Sequence, residues 1–382
     1  MIIKNALIHD AIRETPYRGD LVIENGKLVS VGGDAGGAGE ILDAAGLHAY
    51  PGFVDAHSHI GLDSYGGPTG MTYDYNEMND ILCPQLRGLD SYHPMDAAIP
   101  MALAGGVTTV AAGPGSANVL GGTFFAVKLY GRTVDAAMLR PSVAMKCAFG
   151  ENPKRCYGQG LKKSPMTRMG TAALLRELIL KAIRYRDDKK DGKAPAFDMR
   201  LEAMQPVIDR QIPLKAHAHR ADDILTAVRI AKEFDLRLTL DHCTDGAVIA
   251  DELAKEGFPA FVGPTLGNKS KAELRNKSFR TAKILHDAGV AVSIITDAPV
   301  IPLQYLPLCA GLAASAGLPM DEAWKSITIR PAQALGLDAR IGSLEVGKDA
   351  DLVIWTDDPL RVIGGRSWKT FVNGQLVCED EA

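Results

Sequence analysis

The chain has 382 residues, of which 46% are hydrophobic and 23% charged, with a formal net charge of −4. That balance belongs to a folded globular protein and excludes a disordered chain, and the slightly acidic sum gives no whole-chain attraction to nucleic acid or to an anionic membrane. An eight-fold β/α barrel takes about 250 residues, so the length holds one barrel and one smaller domain.

Residues 1–50 alternate short apolar runs (Met1 to Ile3, Leu21 to Ile23, Leu28 to Val31) with turn signals such as Glu24-Asn25-Gly26-Lys27, and read as hairpins. Leu47 to Val54 reads as one apolar strand leading into the middle of the chain. The stretch 60–93, with Gly66-Gly67-Pro68, is irregular, and loops that long are uncommon unless functional. A helix near 94–104 leads to strand-like runs at Val107–Val110, Phe124–Val127 and Ser142–Cys147, followed by a helical region over about 165–210. Three strand–helix units then come in order: 213–217 with 221–234, 236–241 with 246–256, and 259–262 with 272–288. Ala291 to Thr296 supplies an eighth strand and helices follow to about 338. The alternation predicts an α/β chain whose residues 51–339 form a parallel (β/α)8 TIM-like barrel, with its chemistry at the strand C-termini. Asp351 to Trp355 and the Asn373-Gly374 hairpin return to the style of the N-terminus. Neither end has strands enough for its own core, so residues 1–50 and 340–382 are expected to meet in a small composite β-sandwich.

The chemistry-bearing residues fall at those strand ends. His57 and His59, spaced i, i+2 in Val54-Asp55-Ala56-His57-Ser58-His59, share a face of an extended chain and make half of a zinc-type site. His217, His242 and Asp297 close three further strands and are the remaining candidate ligands. His219 shares the face of His217 but lies beyond its strand, which suits a substrate contact; Arg220 beside it can clamp a substrate carboxylate or pair with Asp222 and Asp223. Asp297 ends a run so apolar that an ionised carboxylate there needs a partner, and it is the best placed general base toward water activated by a metal.

Lys146 is flanked by Val143, Ala144, Met145, Cys147 and Ala148, so its position reads as buried. A buried ammonium is costly. Three resolutions stand equal on pattern alone: reaction of the neutral amine with carbon dioxide to give a bridging carbamate, a salt bridge to a carboxylate, or a surface lysine on a misread strand. His9, His48, His93 and His286 have no such context and read as ordinary packed or exposed residues. Gly32–Gly37 lacks the strand, helix and lysine of a phosphate loop and reads as a turn, whereas Gly113–Asn118 follows a barrel strand at the pocket. Six cysteines without a Cys-x-x-Cys pair are expected to be free thiols; with no apolar run of membrane-spanning length, a cytoplasmic protein acting on a small molecule is expected.

Together, Pro51 to His59 and Gly342 to Val353 resemble the first-strand signature and the C-terminal return of the amidohydrolase superfamily. Gly150-Glu151-Asn152-Pro153-Lys154-Arg155, His217 to Asp223 and Thr296-Asp297-Ala298-Pro299 are similar to the branch near imidazolonepropionase and the metal-dependent prolidases. The resemblance implies His57 and His59 on one metal, His217 and His242 on a second, Asp297 as ligand and base, and Lys146 as a carboxylated bridge. It implies hydrolysis of an amide in a dipeptide-like, N-acyl amino acid or cyclic amide substrate, with one or two divalent ions, zinc by donor type, and carbon dioxide for Lys146. A single-metal deaminase of a ring substrate is the alternative, as is a barrel without catalysis serving as an assembly subunit; a homo-oligomer is compatible with each. His217-Ala218-His219-Arg220 and Asp241-His242-Cys243 depart from the prolidase-like pattern, so proline dipeptide specificity does not carry over.

Overall fold

The computed structural model describes residues 1–36, 39–65, 74–363 and 365–380; Gly37 and the Gly66-Gly67-Pro68 signal lie outside them. Among the described residues five strands precede the barrel: β1 (Ile2–Ile8), β2 (Tyr17–Glu24), β3 (Lys27–Val31), β4 (Ile41–Asp43) and β5 (His48–Pro51). The barrel strands are β6 (Phe53–Ser58), β7 (Val107–Ala112), β8 (Leu120–Lys128), β9 (Met138–Ala148), β10 (Leu214–Ala218), β11 (Leu238–His242), β12 (Ala260–Val262) and β13 (Val292–Ile294). Three more, β14 (Leu352–Trp355), β15 (Ser367–Val372) and β16 (Gln375–Glu379), close the chain.

Strands from both termini join in one sheet, ordered β16-β15-β14-β5-β1-β2-β3 with β4 on β1. Its two tight hairpins turn at Asn25-Gly26 and Asn373-Gly374, and all four residues have positive φ, the geometry for which Asn-Gly is selected. Ile3, Ile8, Leu21, Leu28, Leu352, Ile354 and Phe371 form a core of their own there, drawn from both ends of the chain. Lys128, at the end of β8, binds this sheet to the barrel by donating to Asp349 (2.8 Å), Asp351 (2.9 Å) and Asn373.

The run Leu47–Val54, expected as one strand, is two. Gly52 separates β5 in the terminal sheet from β6 in the barrel, and a Cβ built there would lie 2.1 Å from Thr108 Oγ1. Only glycine allows the chain to cross so close to β7.

The barrel sheet runs β13-β12-β11-β10-β9-β8-β7-β6. It is not all parallel, as the alternation had suggested: β8 pairs antiparallel with both β7 and β9, while the other paired neighbours are parallel. Residues 113–119 between β7 and β8 are too few for a crossover helix, so the chain makes a hairpin instead. The seam between β6 and β13 is stitched by the Asp55 carboxylate, which accepts from Thr296 N (2.9 Å) and Oγ1 (2.6 Å), and by Ile327 O, which accepts from Val54 N (2.8 Å). Among the described residues no helix is long and apolar enough to cross a membrane, and all six cysteines are free.

Candidate metal centre

The predicted ligands converge at the C-terminal ends of the barrel strands in two adjoining clusters. His57, His59 and Asp297 form one, and His217, His219 and His242 the other, with candidate ligand atoms within 4.8 Å of each other in each set. His57 and His242 join them, with ring centroids 5.0 Å apart. Strand alternation alone does not produce this. Asp241 pairs in register with His217, and His242, next along β11, would point out of the barrel but for its φ of +71°. Asp297 likewise has φ +55°. Left-handed residues at both strand ends turn the side chains back over the barrel mouth.

Each imidazole is oriented from its far side. His59 Nδ1 donates to Gly113 O and His242 Nδ1 to Gly263 O, both at 2.8 Å. His219 Nδ1 meets Thr244 Oγ1 at 2.8 Å and His217 Nδ1 meets Ser116 Oγ at 2.9 Å. His57 Nδ1 donates to Asp241 Oδ2 at 2.9 Å. Such partners fix tautomer and ring plane, leaving Nε2 for a metal. His242 Nε2 is in fact buried without a hydrogen-bond partner, and such an orphaned acceptor is costly unless an ion or donor meets it. On the other side, Asp297 Oδ1 lies 3.2 Å from His57 Nε2 and 3.3 Å from His59 Nε2. Two ligands about 2.0–2.1 Å from a tetrahedral zinc stand about 3.3 Å apart, so this donor set fits a divalent cation.

Electrostatics favour the same reading. Burial, then repulsion from neighbouring cationic groups, holds His57, His217 and His219 below the usual imidazole range, and burial brings His242 down to about 3. These rings are neutral ligands at physiological pH. Burial works to raise the Asp297 carboxyl, but His242, His57 and His59 outweigh it and keep the group ionised.

Lys146 is fully buried, as its neighbours implied, with Nζ 3.4 Å from His57 Nε2 and 3.8 Å from Asp241 Oδ2; burial lowers its pKa. Lys215, in register with Lys146 on the next strand, is buried too and is the closer partner of Asp241, at 3.0 Å. Its ammonium also lies 4.1 Å from the centre of the Phe261 ring, and burial lowers its pKa to about 8. No role was read for Lys215 and Asp55 from the sequence, and Asp241 stood out only as part of a departure from the prolidase-like pattern. Asp55 and Lys215 stand two residues before His57 and His217, on the same strand face, and that spacing could have found them. Asp241 carried no such signal.

His219 has ring centroids 4.7 Å from His217 and 4.8 Å from His242, against 4.4 Å between those two, so the structure puts it within the histidine cluster. Arg220 is not brought to the centre: its guanidinium makes two hydrogen bonds to Asp222 (3.0 and 2.8 Å), and its side chain is 45% exposed. Asp223, the other possible partner of Arg220, is buried and accepts instead from Arg168 Nε at 3.0 Å. Beside His217 and His219 lie three residues with no periodic signal: Asn152, Lys271 and the fully buried Glu273. A cavity of about 430 Å³ adjoins the other side of the centre, lined by Tyr75, Asn76, Arg87, Pro114 and Gly121 among others; Tyr75 stacks on His59 with ring centroids 5.0 Å apart.

The amidohydrolase family pattern matches residues 49–377. An amidohydrolase of known structure from Thermotoga maritima is 40% identical and covers 99% of this chain and all of its own, with a TM-score of 0.95. The amidohydrolase tasK of Hapsidospora irregularis is 31% identical over 95% of this chain, which spans 40% of the length of that relative. Imidazolonepropionase of Rhizobium meliloti is 24% identical, over 91% of this chain and 86% of its own.

Proposed function

Because this chain belongs to the amidohydrolase family, hydrolases acting on C–N bonds, we propose that it cleaves the amide of a small dipeptide-like, N-acyl amino acid or cyclic amide substrate, with one or two zinc ions as cofactor. The observation that carries this is the pair of abutting clusters, one with a carboxylate at ligand spacing from two imidazoles, the other with an orphaned imidazole nitrogen. His57, His59 and Asp297 would hold one ion, and His217 and His242, with His219 beside them, a second. A bound divalent ion supplies Lewis acidity, bringing the pKa of water to about 7 and polarising a carbonyl.

The protein's own groups do the rest. Asp297 is kept ionised and accepts the proton that the attacking water loses; it then delivers that proton to the departing nitrogen as the C–N bond breaks. Lys146, whose neutral form is favoured by burial, attacks carbon dioxide through its amine, loses one proton to solvent and becomes an anionic carbamate between the clusters. We take the chain to divide into a barrel over 51–339 and a small β domain, proposed as a sandwich, of 1–50 with 340–382; the joining of strands from both termini over a core of their own supports this.

Metal analysis together with a panel of N-acyl amino acids, dipeptides and cyclic amides tests this reading. Asp297→Asn is expected to lower turnover by about 10²–10⁴-fold, and His57→Asn to release an ion. Full activity in chelated protein would overturn it, and one ion per chain with ammonia release would replace it by the deaminase.

A further inference from the structure

Arg220, the cation that the sequence offered for a substrate carboxylate, is engaged by Asp222 at the surface. The structure presents another. Lys271, in the loop after β12, reaches over the His217–His219 side of the centre, where its Nζ lies 2.6 Å from Glu273 Oε1 and donates to Asn152 Oδ1 at 3.1 Å. Asn152 Nδ2 is 3.4 Å from His217 Nε2. Glu273 Oε1 is 3.8 Å from His219 Nε2 and 4.0 Å from His217 Nε2. Lys271, Glu273 and Asn152 thus form one polar circuit, made by the segments after β9 and β12 and tied to the histidines.

Resting on the amide hydrolase reading, we infer that Lys271, steadied by Asn152 and Glu273, binds the carboxylate of a substrate that carries one on the carbon next to the scissile nitrogen. Three observations support this. An ammonium has three donors; Lys271 donates one to Asn152 and stands in ion-pair contact with Glu273, whose Oε1 makes no hydrogen bond, so its donors are not saturated. Glu273 is wholly buried and its other oxygen accepts from Glu151 N at 3.0 Å, so it fixes the lysine from below and cannot swing away with it. The span also agrees. In an N-acyl amino acid two atoms, the scissile nitrogen and the α-carbon, separate the carboxylate carbon from the scissile carbonyl carbon, a span of at most about 3.8 Å. Lys271 Nζ is tied to the histidine nitrogens through its contacts with Glu273 and Asn152, so a carbonyl held over those nitrogens leaves its carboxylate on the side of the centre that Lys271 covers. The lysine side chain is 21% exposed, enough to meet a ligand and shielded enough that a charge-assisted bond retains its strength.

The test uses the zinc-reconstituted full chain and calorimetric binding of N-acetyl amino acids, each compared with its C-terminal primary amide. Wild-type protein is expected to bind at least one acid about tenfold or more tightly than its amide. Lys271→Met is expected to lower affinity for the acid to that for the amide while leaving the amide unchanged, and Lys271→Arg to restore part of the preference. Since Lys271→Met strands the Glu273 carboxylate, the double variant Lys271→Met/Glu273→Gln, which removes both charges, is measured beside it and is expected to show the same loss. No preference for any acid in the wild type, or a preference that survives both variants, overturns the inference. Turnover is scored separately: hydrolysis of the panel without acid preference refutes the inference alone, and acid-selective binding with no hydrolysis of any amide refutes the hydrolase reading alone.

Discussion

Asp241→Asn removes the charge on which the floor of the centre is organised. The aspartate is fully buried and accepts from His57 Nδ1 at 2.9 Å and from Lys215 Nζ at 3.0 Å, with Lys146 Nζ at 3.8 Å. Burial opposes its ionisation, yet Lys215 and His57 together hold the carboxyl well below the ordinary range. An amide in its place leaves Lys215 with no anion in contact, and breaking a buried pair by removing one partner costs about 3–5 kcal/mol, a large share of the roughly 5–15 kcal/mol that stabilises a domain. His57 loses the group that fixes its tautomer, for which about 10–100-fold in metal affinity is expected. Urea unfolding of metal-free protein reads the first effect and competition with a chromophoric chelator the second. The double variant Asp241→Asn/Lys215→Met separates them: it removes the stranded ammonium and should recover most of the stability, while metal affinity stays low. If Asp241→Asn unfolds within about 1 kcal/mol of wild type, or if the double variant recovers metal affinity along with stability, the assigned roles are wrong.

Two further outcomes follow from the same geometry. His242, at about 3, and His217 and His219, also depressed, bind fewer protons folded than unfolded, so the metal-free protein keeps their contribution above about pH 6.5 and loses it as pH falls, by up to about 1.4 kcal/mol per pH unit for each ring. Asp55, raised by burial to about 6, acts in the opposite sense between about pH 4 and 6 and offsets one ring's share. Urea midpoints measured from pH 7.5 to 5 should therefore fall, and a flat profile would contradict the neutral buried cluster. Gly52→Ala places a methyl 2.1 Å from Thr108 Oγ1 and 2.5 Å from its Cγ2; overpacking of this kind costs about 1–3 kcal/mol, which a denaturant titration reads, and truncating Thr108 to alanine should recover part of the loss.

The sequence made visible what rests on short-range periodicity. His57 and His59 were legible because two residues on one strand face must point together, and the strand–helix alternation from residue 213 onward has no other economical fold. The reversed β8 was hidden because direction is not written in a strand's own residues; it was written in the shortness of 113–119. His242 and Asp297 could be named as strand-end residues, but the left-handed turns that aim them could not be foreseen, since neither position carries glycine. The joining of Asn152, Lys271 and Glu273 was hidden for a plainer reason: Asn152 stood in the Gly150 to Arg155 motif without a partner, and the three come from short turns far apart in the chain whose meeting depends on the whole barrel closing.

The hairpin formed by β7 and β8 bears on how the active centre can diversify. Its connecting residues are occupied twice over, since Gly113 offers its carbonyl to His59 and Ser116 its hydroxyl to His217, so an insertion there would detune both halves of the centre at once. Randomised libraries seeking new substrates should leave untouched both that turn and Gly263, whose carbonyl orients His242, and vary those residues after β9 and β12 that do not face the histidines.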